Sequence, residues 1–96
     1  MITKKAQPDG TTRITFSVDD ERPVSVVGDF NDWNPFANPL IRRSNGSRSA
    51  STTVPTGTKL CFRYLAEGGE FYNDPHADAL ESNGMGETHC VVSTAG

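Results

Sequence analysis

Apolar and polar residues alternate along much of this chain with the two-residue period of β-strands. From Arg13 to Val18, Ile14, Phe16 and Val18 fall on one face. Val24 to Val27 is a short apolar run behind the charged turn Asp19-Asp20-Glu21-Arg22-Pro23. Leu40 to Arg43 and Ser47 to Val54 flank Asn45-Gly46, a dipeptide that suits a tight hairpin. Lys59 to Ala66 is the longest alternating segment, and Gly68-Gly69 turns it back into Phe71-Tyr72-Asn73. A long loop is expected from Asp74 to Gly86, with at most one helical turn over Ala77 to Glu81. A last strand is expected from Thr88 to Ser93. About seven short strands with closely spaced turns predict an all-β, immunoglobulin-like antiparallel sandwich. Its expected core is Ile14, Phe16, Val26, Phe62, Tyr64 and Val91. Residues 1–11 are polar and end in Pro8-Asp9-Gly10. They read as a flexible N-terminal arm, which leaves 12–94 as the single domain.

Strand parity sorts the longest segment without further information. Phe62, Tyr64 and Ala66 share one face, while Cys61, Arg63 and Leu65 share the other. A charged Arg63 belongs on the outer face, so Phe62 and Tyr64 belong to the core. If His89 also faces outward, Cys90 points inward. Cys61 and Cys90 then lie on opposite faces of a sheet and cannot bridge without distortion. The N-terminus has no apolar leader and no long apolar stretch follows. The expectation is therefore a cytoplasmic domain with reduced thiols. The net charge of −3, with no basic run longer than two residues, argues against nucleic acid or a membrane surface as partner.

The single tryptophan, Trp33, stands in the polar turn Gly28-Asp29-Phe30-Asn31-Asp32-Trp33-Asn34-Pro35, directly after an apolar run. An indole in a turn either folds back as a lid over the core or offers a flat apolar face to a partner.

Gly28-Asp29-Phe30-Asn31-Asp32-Trp33 resembles the G-x-F-N-x-W signature of the family 48 carbohydrate-binding modules. These are the early-set (E-set) sandwich domains that precede isoamylases and glycogen-branching enzymes and that occur in the β subunits of AMP-activated protein kinase. Leu60 to Gly68 is similar to the family's x-Y-K-F-x-V-D-G strand and turn. Asn73-Asp74-Pro75 matches its structural aspartate-proline corner, and Gly84 to Val92 resembles its closing strand. The matches run in family order from Arg13 to Ser93. The resemblance implies a stand-alone early-set sandwich with no catalytic activity and no cofactor. It also implies a surface for α-1,4-linked glucans such as glycogen or starch chains.

The same resemblance implies the site residues. The first stacking aromatic falls on Trp33, the basic residue on Arg63 and the second aromatic on Phe71. The apolar finger falls on Met85 and the closing polar residue on His89. The family usually has tryptophan at the position of Phe71 and asparagine at that of His89. Two weakened contacts at ~1 kcal/mol each lower affinity by roughly tenfold to a hundredfold. The expected function is therefore low-affinity α-glucan binding. The alternative is a protein-interaction or regulatory module on the same fold, binding an unidentified protein or a second copy of itself with the glycan site degraded.

Other chemistry finds less support in the residues. Asp74, His76 and Asp78 alternate, and His89 follows, a donor set that could suit Zn²⁺ or Mn²⁺. Turns rich in Asp are ordinary around a proline, and no metal site is assigned there. Asp29-x-Asn31-x-Trp33 lacks the fifth-position oxygen of a calcium loop. Glu67, Glu70, Glu81 and Glu87 all fall in expected turns or loops. None pairs across a cleft as glycoside hydrolysis needs.

Overall fold

The long alternating segment becomes the central strand of one sheet, and the rest of the sandwich is organised around it. The computed structural model describes residues 2–82 and 88–94, with nine strands among them. They are β1 (Ile2–Ala6), β2 (Thr11–Val18), β3 (Val24–Gly28), β4 (Ile41–Arg42), β5 (Arg48–Pro55), β6 (Lys59–Ala66), β7 (Glu70–Tyr72), β8 (Ala79–Ser82) and β9 (Thr88–Ser93). One sheet has the order β1-β2-β5-β4, the other β3-β6-β9-β8 with β7 also on β6. Every pairing is antiparallel. The architecture is thus the all-β sandwich expected from the alternation. The described residues contain no helix long and apolar enough to cross a membrane.

Between the sheets lie Ile14, Phe16, Val26, Phe62, Tyr64, Cys90 and Val92, all fully buried. Phe62 and Tyr64 meet edge to face at 5.6 Å, and Phe16 tilts against Phe62 at 4.8 Å. Val91 is buried, but not in this cluster. It pairs with Cys61 in the β6–β9 register, so it lies on the outer face while Cys90 and Val92 point inward. The expectation that placed Val91 in the core is corrected accordingly. Three consecutive apolar residues carry no parity of their own.

Two further strands depart from expectation. Residues 2–6 are not an arm: β1 pairs with β2 from Ile2↔Phe16 to Ala6↔Thr12. Only Ile2 of this strand packs against the core and its other side chains are exposed, so ladder hydrogen bonds do most of the holding. The turn at Pro8-Asp9-Gly10 forms as expected, with Asp9 accepting from Thr11. The loop expected from Asp74 to Gly86 is interrupted by β8, which pairs with β9 from Ala79↔Val91 to Ser82↔Thr88. Ala79 to Ser82 is therefore an edge strand, not a helical turn.

The aspartate-proline corner is a buried polar hub. Asp74 is 3% exposed and accepts from the Tyr64 hydroxyl at 2.7 Å and from the His76 amide at 2.8 Å. Burial first, and then this bond, push the Tyr64 phenol well above its usual range.

Cys61 and Cys90 are both free thiols. Cys90 lies opposite Phe62 in the core, and Cys61 is on the other face of the same sheet. Alkylation of the unfolded, non-reduced protein is expected to modify two thiols by mass. A species with none modified would contradict the strand register.

Candidate functional site

The outer face of the β3-β6-β9 sheet carries a groove of about 540 Å³. It is lined by Val27, Trp33, Pro35, Arg63, Leu65, Phe71, Thr88 and His89. The register explains why residues so distant in sequence meet there. Val27 pairs with Arg63 across β3 and β6, and Phe71 pairs with Leu65 across β6 and β7. Strand β9 occupies the same edge of β6 as β7, end to end with it, and its pairing ends at Phe62↔Cys90. His89, one residue beyond, therefore comes alongside Arg63. The Arg63 guanidinium carbon sits 5.0 Å from the centre of the Phe71 ring, a cation–π contact that holds both side chains in place.

Trp33 reaches the groove through a loop whose every signature residue has a distinct task. A Cβ on Gly28 would lie 2.3 Å from the Cys61 carbonyl oxygen and 2.8 Å from a Phe30 ring carbon, so no side chain fits. Phe30 turns inward and stacks on Phe16 at 5.9 Å. Asn31 pins the loop with both ends of its amide. Its oxygen accepts from the Gly28 amide at 3.0 Å, and its nitrogen donates to the Val26 carbonyl and to the Asn38 side chain. The Trp33 amide donates to the Gly28 carbonyl at 2.8 Å. Asp32 and Trp33 both adopt left-handed backbone, with φ of 57° and 56°. For a bulky L-residue this conformation is costly, about 1–2 kcal/mol. The surrounding hydrogen bonds hold Trp33 there, 42% exposed, with its ring centre 6.2 Å from that of His89 and the two planes at 67°.

Of the five site residues expected from sequence, Trp33, Arg63, Phe71 and His89 therefore line one groove. Met85 lies outside the described residues. Sequence reasoning missed Val27, Leu65 and Pro35, which form the apolar floor and wall. Leu65 was legible as an outward neighbour of Arg63 by parity. Val27 was not, because Val26-Val27 is uniformly apolar. Among the described residues, the groove lining has no carboxylate. Glu70 is paired with Arg22, and Glu81 with Lys59.

A second hollow of about 580 Å³ is lined by Asp19, Asp20, Arg22, Tyr64, Glu70, Tyr72, Asp74 and His76 among others. Its arginine, Arg22, is shared by two of its carboxylates. Arg22 donates to both oxygens of Asp20 and to Glu70, and its side chain and amide hold the Asp20 carboxyl at about 2. Burial, then the Asp20 charge, push the Tyr72 phenol up to about 12. This network ties the turn after β2 to the β6–β7 hairpin.

The Asp74, His76, Asp78 and His89 side chains do not gather as a donor set. Asp74 is committed to Tyr64, and Asp78 pairs with Lys4. Among the described residues, the donors that do converge are Cys61, Glu81 and His89.

No protein-family model matches the chain. It is similar to the 1,4-alpha-glucan branching enzyme GlgB of Deinococcus radiodurans, 41% identical over 61 residues. The matched stretch is 60% of this chain and 9% of that enzyme, so the likeness concerns a small part of the relative.

Proposed function

We propose that this chain is a non-catalytic module that binds α-1,4-linked glucan chains, such as glycogen or starch fragments, with low affinity. The observation that carries the reading is a single groove with two half-exposed aromatic rings, Trp33 and Phe71, and Arg63 and His89 between them. Sugar rings present C–H faces that stack on such aromatics, while guanidinium and imidazole donors reach the hydroxyls. The likeness to a glucan-branching enzyme supports the same ligand class. The two free thiols suit a reducing compartment such as the cytoplasm.

Trp33 is the only tryptophan, so its emission reports this groove alone. Titration with maltoheptaose or β-cyclodextrin is expected to shift that emission saturably, and the protein is expected to co-sediment with glycogen. Phe71→Trp enlarges the second stacking face and is expected to tighten binding several-fold, on the order of 1 kcal/mol. Because it adds a fluorophore, its affinity is read by co-sedimentation. No binding to millimolar maltoheptaose and none to glycogen would overturn the glucan reading. The 88%-exposed Phe36, on the same loop as Trp33, would then favour docking onto another protein.

A further inference from the structure

Beside the groove, on the same outer sheet face, three residues of different chemistry converge from three strands. Cys61 comes from β6, Glu81 from β8 and His89 from β9. Glu81 and His89 are direct cross-strand partners, and Cys61 lies diagonally from His89 through the Cys61↔Val91 pair. One donor atom from each lies within 4.8 Å of the other two. The His89 Nε2 faces Glu81 Oε1 at 3.9 Å. The His89 side chain is 15% exposed, so its ring has little freedom to turn away.

We propose that Cys61, Glu81 and His89 form a binding site for a thiophilic divalent cation, Zn²⁺ above all. Cys61 and Glu81 lie outside the groove, and His89 is shared with it. A bound cation would take the imidazole from a sugar, while the metal site itself can be tested without any glucan. A thiolate, an imidazole nitrogen and a carboxylate are the donor types that zinc takes, and the sulfur disfavours Mg²⁺ and Ca²⁺. Zn–S of about 2.3 Å and Zn–N or Zn–O of about 2.0–2.1 Å put tetrahedral donors roughly 3.3–3.6 Å apart. Drawing the three donors together from at most 4.8 Å takes movements of about 1 Å, within the reach of side-chain torsions on fixed strands. The fourth position, on the solvent side, is left to water.

The charges around the thiol point the same way. Asp29 accepts from the Cys61 amide at 3.1 Å, and Glu81 stands beside the sulfur. Burial, and then these two carboxylates, push the Cys61 thiol up, and only the Lys59 ammonium opposes them. Lys59 is the cation that the cluster already attracts, through its ion pair with Glu81. A divalent cation would displace that ammonium, stabilise the thiolate and release the thiol proton to solvent. Affinity should therefore rise with pH as the thiol is more easily deprotonated. The charged groups that act on the Cys61 thiol are Asp29, Glu81 and Lys59, from the loop after β3 and from β8 and β6.

The test uses reduced, metal-free protein without a histidine tag, titrated with Co²⁺ as a spectroscopic stand-in for Zn²⁺. The expected result is one equivalent per chain, a thiolate-to-cobalt charge-transfer band, and loss of that band on adding Zn²⁺. Cys61→Ser is expected to remove the band, and Glu81→Gln to weaken Zn²⁺ binding by about tenfold or more. Zn²⁺ is expected to raise the unfolding temperature of the wild type but not of Cys61→Ser, a conservative change on the outer sheet face. His76→Ala, which removes the other histidine, is expected to change nothing. Three results would overturn the proposal: no saturable Co²⁺ binding, a band that survives Cys61→Ser, or binding lost in His76→Ala.

Discussion

Gly28→Ala is expected to destabilise the domain by about 3 kcal/mol or more. The added methyl would stand 2.3 Å from the Cys61 carbonyl oxygen and 2.8 Å from the Phe30 ring. Ordinary overpacking costs about 1–3 kcal/mol because side chains can shift aside. Here the nearest obstacle is backbone, and that carbonyl also accepts the Asp29 amide at 3.0 Å. Moving it disturbs the last β3–β6 pair, Gly28↔Phe62. Moving Phe30 instead breaks its stack on Phe16 at the end of the core. For a domain of this size, 3 kcal/mol corresponds to roughly 12–24 °C in unfolding temperature. Chemical denaturation monitored by circular dichroism measures the loss. A change under about 1 kcal/mol would mean that the strand end yields easily and that the glycine is not sterically required.

The glycine was legible in sequence as the hinge between an apolar run and a polar turn. Its actual reason, a carbonyl pressed against its α-carbon, needs the β3–β6 register and could not be read locally. The same division runs through the fold. Lys59 to Ala66 alternates cleanly, so Phe62 and Tyr64 were assigned to the core and Arg63 to the surface from parity alone, as the structure has them. Cys90-Val91-Val92 is apolar at three successive positions, so its parity follows only from an assumed outward His89, which pairing with β6 supplies. Val91 can be buried on the outer face because β8 flanks it. Strands β1 and β8 were missed for a related reason. Edge strands satisfy their backbone by pairing on one side and need no apolar stripe, so Ile2-Thr3-Lys4-Lys5-Ala6 looks like an arm until β2 is beside it. The groove was legible in its prominent residues, Trp33, Arg63, Phe71 and His89, through a resemblance. Its floor of Val27 and Leu65 was not, since an apolar residue in a strand gives no sign of which layer it joins.

Trp33→Ala is expected to abolish detectable glucan binding and to leave the sandwich folded. Stacking on one aromatic is worth about 1–3 kcal/mol in the comparable case of nucleic-acid bases. That is a factor of roughly 5 to 150 in affinity, enough to carry a low-affinity site beyond measurement. The fold should survive because the loop is held by other residues. Phe30 anchors it in the core, and Asn31 ties it to Val26, Gly28 and Asn38. The indole is little more than half buried, which bounds its packing contribution at about 2–3 kcal/mol. A domain of this length has about 5–14 kcal/mol to lose. The tryptophan at φ of 56° carries a conformational cost that a platform and a lid would share. The ring lines the groove, its centre 6.2 Å from that of His89. Glycogen co-sedimentation and circular dichroism on the same preparation separate the two roles. Lost binding with a native spectrum supports the platform, whereas an unfolded Trp33→Ala protein would make the indole a structural lid.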